Sequence, residues 1–171
     1  IWRIVLSAGK IVTGQYEMWL PSDNVLNRGT GFLFLTDATT LTIPSSASRA
    51  ISVGAYDART FAYADFSGKR IYQTYKYGET GSCGTGSERK ETAVGGGVTV
   101  VSGTSFATPF VTGASALLME WGIVRGNDPF LYGEKVKAYL RRGARELPGF
   151  GKYPNREVGY GRLCLERSLP D

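Results

Sequence analysis

The chain has 171 residues and a mass of 18.5 kDa, the size of one ordinary domain, and its contents of 42% hydrophobic and 20% charged residues are globular values. The net charge of +5 and the pI of about 9.3 come from scattered basic residues, so a solvated basic face is favoured over a nucleic-acid site. No apolar run is predicted to be long enough to span a membrane.

The residue inventory also limits the chemistry. The sequence contains no histidine, so a Ser-His-Asp triad cannot be completed within this chain. Cys83 and Cys164 lack the C-x-x-C spacing of metal sites, and we expect two free thiols, with a disulfide between them as the alternative. Neither a metal nor a cofactor is predicted. Because the chain begins with Ile1 and has no signal-peptide pattern, we expect it to be cut from a longer sequence.

The first part of the chain has a β pattern. Apolar and polar residues alternate at Trp2, Ile4 and Leu6, and again over residues 16–20. Residues 32–35 form a short apolar run. This pattern is typical of an antiparallel sandwich, and it predicts a β segment from residue 1 to about residue 36.

Residues 39–171 have the pattern of an α/β domain. Small residues at positions 45–48 precede Ile-Ser-Val-Gly-Ala at 51–55, and Ala-Asp-Phe-Ser-Gly-Lys follows at 64–69. The Gly, Ser and Thr content of residues 70–97 predicts a flexible loop. The β-prone residues at 98–101 then predict another strand.

A turn of small residues follows that strand and leads into an apolar helix reaching about Trp121. Ser105 lies where the helix begins, and the first backbone N–H groups of a helix lack acceptors within it. A serine hydroxyl can meet a substrate there, and the free amides can hold a developing oxyanion. Taken alone, the turn is more simply a polar cap on a core helix. Apolar residues surround this helix, so we expect it to be buried on all sides.

Residues 103–118, Gly-Thr-Ser-Phe-Ala-Thr-Pro-Phe-Val-Thr-Gly-Ala-Ser-Ala-Leu-Leu, resemble the nucleophile motif of the subtilisin-like serine peptidases along their whole length. The segments at 51–55 and 64–69 resemble those that precede the motif in this family, which implies a buried strand at 51–55 and a turn at 64–69. The resemblance implies a parallel-sheet α/β domain that hydrolyses a protein or peptide. It also implies that Ser105 is the nucleophile and that Gly103 and Thr104 shape the oxyanion turn. The chain departs from the family in lacking the Lys-Pro-Asp-x-x-Ala-Pro-Gly element before the motif.

The pattern continues downstream. Gly122 is predicted to close the first helix as its C′ residue. Asn-Asp-Pro at 127–129 predicts an N-cap and a second helix over residues 130–142, with Lys137 among the charged side chains that face water. Residues 158–165 resemble the closing stretch of subtilases, with Cys164 in place of the usual Asn.

Residues 117–129 and 132–145 are similar to the Csp-type subtilases of spore-forming anaerobes, which carry a jelly-roll domain inserted ahead of the nucleophile. By this resemblance, residues 1–38 are the last strands of the insert and residues 39–171 are the C-terminal portion of the peptidase domain. The catalytic Asp and His and the oxyanion Asn of the family would lie upstream of this chain. Active members of the group activate a cortex-lytic enzyme during germination, which implies a spore-associated location; other members are pseudoproteases.

Functions of two classes stay open. The first is a serine endopeptidase portion that is inactive as an isolated chain because its serine lacks a base. A sedolisin-like acid peptidase with a carboxylate base is a variant that an acidic pH optimum would distinguish. The second class is a pseudoprotease or regulatory binding module. Because a sheet without its upstream strands exposes edges, we expect the missing N-terminal part of the peptidase or an oligomer partner to bind. Neither a nucleic acid nor a membrane is a predicted partner.

Overall fold

The computed structural model describes residues 3–14, 16–21, 25–37, 39–69, 82–86, 89–92 and 98–170. It divides into two compact units, Ile1–Leu35 and Thr36–Asp171. The described residues of the first unit form no helix or strand, and side chains such as Leu6, Val12 and Phe34 are exposed. The β-strands predicted there are therefore not found. Alternation supplies only the side-chain pattern, whereas a strand also needs a neighbour that accepts its backbone hydrogen bonds. The predicted boundary at residue 38 stays a prediction.

The second unit contains a parallel sheet and a separate hairpin. Three strands form the sheet in the order β1-β2-β5, with both pairings parallel, and β3 and β4 pair antiparallel. The parallel sheet confirms the α/β class. In chain order the elements are β1 Ser52–Tyr56, β2 Ser82–Gly86, β3 Arg89–Thr92, β4 Val98–Val101, α1 Thr104–Met119, a π-helical turn Glu120–Val124, α2 Gly133–Gly143, β5 Gly161–Arg162 and α3 Leu165–Ser168.

Strand β2 lies within the segment predicted to be a flexible loop, so that prediction is wrong for its residues. Its backbone pairs with β1 from Ser52↔Ser82 to Tyr56↔Gly86 and with β5 at Cys83↔Gly161. Gly, Ser and Thr residues give little strand signal of their own. The pairing comes instead from two neighbouring backbones that lie far away in the sequence.

Helix α1 buries one side. Its buried residues Val111, Ala114 and Leu118 form the main core cluster together with Leu131, Val136 and Leu140. Leu117 and Met119, which flank this buried stripe, are exposed at 56% and 43%. The expectation that α1 is buried on all sides is therefore wrong within the described structure, because the described elements leave part of its apolar surface uncovered. An all-round apolar helix is normally covered on every side.

The end of the first helix also differs from the prediction. Gly122 is not its C′ residue, since the helix continues as a π-helical turn to Val124, and Gly126, with φ 76°, follows it. The continuous helix Thr104–Val124 has 21 residues, and an 18-residue window of it has a mean hydropathy of 1.2, so by length and composition it is long enough to cross a membrane. The expectation about apolar length is wrong in that respect. Core helices of soluble proteins share this property, so it does not by itself indicate a membrane span.

Gly122 is required by close packing. A Cβ at this buried position would lie 2.7 Å from Leu131 Cδ2 and 3.2 Å from the Asp128 carbonyl oxygen. We expect Gly122→Ala to destabilise the chain by about 1–2 kcal/mol, because overpacking exceeds the gain in helix propensity. The matched control is Gly113→Ala on α1, where a Cβ meets no atom within 4 Å. It should stabilise the chain by about 0.5–1 kcal/mol in urea unfolding. Equal effects of the two substitutions would contradict this account.

Helix α2 begins later than predicted. It starts at Gly133, and the Asn127 side chain donates instead to the Trp121 carbonyl oxygen, at 2.8 Å. Lys137 is only 6% exposed, contrary to the prediction that it faces water, and its Nζ donates to the carbonyl oxygens of Ser48 and Ala50 at 2.8 and 2.9 Å. A buried ammonium requires such acceptors. These bonds tie α2 to the segment that precedes β1.

Asp128 joins the loop before α2 to the helix itself. Its carboxylate accepts from Lys135 Nζ at 2.7 and 2.8 Å and from the Tyr139 hydroxyl at 3.0 Å. The bond from Lys135 lowers the pKa of Asp128 below its ordinary value of 3.8. Folding therefore favours the charged form, and its contribution to stability is present above about pH 4.

That contribution should be lost as the pH falls from about 4 through the lowered pKa of Asp128, because the unfolded chain then binds the proton more readily. We expect Asp128→Asn to lower stability at pH 7 and to flatten the acid limb of the stability curve. Lys135→Met should flatten it too, since it removes the cause of the shift. Urea unfolding between pH 2 and 7 tests this. An acid limb that is unchanged in both variants would contradict it.

Candidate active site

The segment between β4 and α1 forms a strand–turn–helix. Gly103 is the N-cap of α1 and has φ 151° and ψ 155°. This φ favours glycine, and a Cβ there would also lie 3.3 Å from the Phe106 ring. The Gly103 carbonyl oxygen accepts from the N–H groups of Phe106 and Ala107, at 3.0 and 3.2 Å. The turn therefore fixes where the first residues of α1 lie.

Ser105 is the second residue of α1 and is exposed. Among the described residues its side chain has no hydrogen-bond partner, and no histidine exists in the chain to supply one. Pro109 lies inside α1 and has no N–H to donate to the Ser105 carbonyl oxygen. The carbonyl oxygen of Ser105 therefore lacks the donor that an α-helix normally supplies four residues later.

The backbone N–H groups of Thr104 and Ser105 also have no acceptor in the described structure, because no helical turn precedes them to supply carbonyl oxygens. Free N–H groups at a helix start attract negative charge. The structure therefore brings Gly103, Thr104 and Ser105 together with an exposed hydroxyl beside free donors. Their catalytic roles stay predictions.

A pocket of about 370 Å³ adjoins this turn, and Thr104 is part of its wall. Leu41, Val53 and Phe66 give it an apolar lining, and its charged lining residues are Asp37, Asp65 and Lys69. The sequence indicated the segment at 64–69 as a family-like turn, but it did not indicate that Asp37 lies beside Lys69. Asp37 and Lys69 lie far apart in the sequence, and the fold brings them together.

Two of the three charged side chains of the pocket form an ion pair with each other, and the third does not. Lys69 Nζ donates to Asp37 Oδ2 at 2.6 Å and lies 5.6 Å from the centroid of the Tyr63 ring. This hydrogen bond lowers the pKa of Asp37 and raises the pKa of Lys69. Asp65 is exposed and has no ion-pair partner among the residues that the structure describes.

The described ranges contain no group of three side chains that could hold a metal ion. Cys164 is a free thiol, as expected, while the side chain of Cys83 lies outside the described residues. The family element that the sequence lacks would also fall largely within undescribed positions.

Solved structures of proteases resemble this chain. The Clostridium perfringens CspB protease is 40% identical with a TM-score of 0.75, over 84% of this chain and 30% of that chain. The prenylagaramide maturation protease PagA is 28% identical with a TM-score of 0.61, over 77% of this chain and 46% of that one. The self-cleaved protease domain of PatA is 29% identical with a TM-score of 0.56, over 74% and 42%.

The chain thus spans about a third to a half of the length of these proteases. No curated protein sequence matches it. The sequence pattern of the Subtilase family matches residues 4–161, nearly the whole chain. This chain therefore belongs to the subtilase family of serine peptidases.

Proposed function

We propose that this chain is the C-terminal portion of a serine endopeptidase and that Ser105 is its nucleophile. One observation carries the proposal: the Ser105 hydroxyl is exposed at the start of α1, beside two backbone N–H groups without acceptors. The family motif around Ser105 supports the same role.

The chemistry follows from this arrangement. Ser105 Oγ attacks the scissile carbonyl carbon while its proton passes to a base, and the carbonyl oxygen becomes an oxyanion that accepts from the Ser105 N–H. The C–N bond then breaks, the amine leaves with the proton, and an acyl-enzyme forms. Water hydrolyses this ester and returns the proton to Ser105.

The base must come from outside this chain. A neutral serine hydroxyl is a poor nucleophile, and the chain holds no histidine. No described carboxylate forms a hydrogen bond with Ser105 either, so a sedolisin-like carboxylate base would also have to come from outside this chain. We therefore expect negligible peptidase activity from the isolated chain.

The partner that fits is the N-terminal part of the peptidase domain, with a second copy of the chain as the alternative. The exposed side of α1 borders an apolar groove of about 410 Å³, lined by Pro109, Phe110, Gly113, Ala114, Leu117, Leu163 and Leu165. An exposed apolar surface of this kind marks an interaction site. The CspB protease is more than three times as long as the part of it that this chain covers, so it contains the necessary additional sequence.

A chimera tests the proposal. The corresponding part of the CspB protease is replaced with this chain, so that the upstream part is supplied by that protease. We expect the chimera to hydrolyse a peptide substrate near neutral pH, with the isolated chain as the inactive control. A folded chimera without activity would instead support a pseudoprotease, the alternative that the missing Lys-Pro-Asp-x-x-Ala-Pro-Gly element before the motif favours. An acid pH optimum of the full-length protein that contains this chain would instead support the sedolisin-like variant.

The biological substrate is a further part of the proposal. Resemblance to the Csp-type subtilases supports processing of a proenzyme in spore germination. Loss of germination on deletion of the encoding gene, with rescue by the wild-type sequence, is the expected result in the source organism.

A further inference from the structure

We propose that the pocket beside Thr104 binds a lysine or arginine side chain of the peptide substrate, and that Asp65 selects it. This inference rests on the proposed function, because it names the substrate class of that same site. The pocket has about 370 Å³ of volume, within the range of small-ligand sites. Thr104 precedes Ser105 directly, so a side chain in the pocket belongs to a residue near the scissile bond.

The lining fits an amphipathic side chain. Leu41, Val53 and Phe66 offer apolar surface to a methylene stem. Lysine and arginine bury such stems against apolar surface while their charged ends stay at polar groups or water. A purely aliphatic side chain would leave the charged lining residues without a new partner.

The charges favour a cation. Two carboxylates and one ammonium line the pocket, and the ammonium of Lys69 already donates to Asp37 at 2.6 Å. Asp65 is the carboxylate left without an ion pair among the described residues. A substrate cation would supply the missing partner, whereas an acidic side chain would be repelled.

Peptide binding tests this without any covalent chemistry. Fluorescein-labelled pentapeptides with Lys, norleucine or Glu at the central position and alanine elsewhere are titrated into the chain carrying Ser105→Ala, and anisotropy is measured. We expect the Lys peptide to bind at least tenfold more tightly than the Glu peptide. Asp65→Asn should remove most of this preference, and Asp65→Lys should reverse it. The matched control Glu146→Gln removes an equal charge at an exposed residue outside the pocket and should leave the preference unchanged.

Salt gives a second measurement that does not depend on a variant. Binding of the Lys peptide should weaken between 50 and 500 mM NaCl, while binding of the norleucine peptide should not. Equal affinity for the three peptides, no binding of any of them, or a preference that survives Asp65→Asn would overturn the inference. None of these results tests the role of Ser105, which is tested by hydrolysis of a peptide by the chimera. Either proposal can therefore be overturned while the other stands.

Discussion

Replacing Ser105 with Ala in the CspB chimera should lower kcat by about 10⁵- to 10⁶-fold, the largest effect expected of any single change in this chain. Removal of the nucleophile from a serine peptidase leaves only the catalysis that comes from binding and oxyanion stabilisation. The hydroxyl of Ser105 makes no hydrogen bond within the described structure, so its removal should not disturb the fold. A loss of activity in this variant would therefore report the loss of catalysis and not a loss of folded protein.

The matched control is Ser115→Ala. Ser115 lies on the same helix, where its hydroxyl donates to the Val111 carbonyl oxygen at 2.7 Å. Such back-bonding contributes little to a helix. Because Ser115 lies further along α1, away from the turn, we expect the kcat of Ser115→Ala to stay within about threefold of that of the parent. A Ser105→Ala chimera that retains more than a hundredth of the activity would exclude Ser105 as nucleophile.

Leu118→Ala should destabilise the chain by about 2–5 kcal/mol, more than Gly122→Ala. The Leu118 side chain is 0% exposed and belongs to the cluster that joins α1 to α2. Its truncation removes buried apolar surface and leaves a cavity between two helices. Urea unfolding of the isolated chain, followed by far-UV circular dichroism, measures the loss.

Leu117 provides the comparison, since the same substitution at the preceding residue removes a side chain that is 56% exposed. In the isolated chain Leu117→Ala should change stability by about 0.5 kcal/mol or less. In the chimera it should cost more, because the upstream part of the peptidase is proposed to cover that side of α1. A Leu117→Ala effect that is equally small in both proteins would contradict this docking.

The elements predictable from sequence are those with a strong local pattern. The run at 51–55 is strand β1, the run at 98–101 is β4, and the apolar stretch after Gly103 is α1. In each case the residues that form the element also carry its signal. For the same reason the turn at Ser105 is predictable from the residues on either side of it.

The missed features depend on distant contacts. Strand β2 has little β propensity and is defined by pairing with β1 and β5. In the π-helical turn Gly122 packs closely against Leu131, and Lys137 is buried against carbonyl acceptors some 87–89 residues away. The pocket likewise joins residues near 37 to residues near 69. No local pattern contains such information.

The most direct test of the central claim is covalent labelling with a fluorophosphonate, read by intact mass. It asks whether Ser105 is a nucleophile that needs a base from outside this chain. We predict one label per molecule of the chimera near neutral pH, none on the isolated chain and none on the Ser105→Ala chimera. Labelling of the isolated chain at Ser105 would contradict the need for an external base. A folded chimera that takes no label would contradict the nucleophile itself.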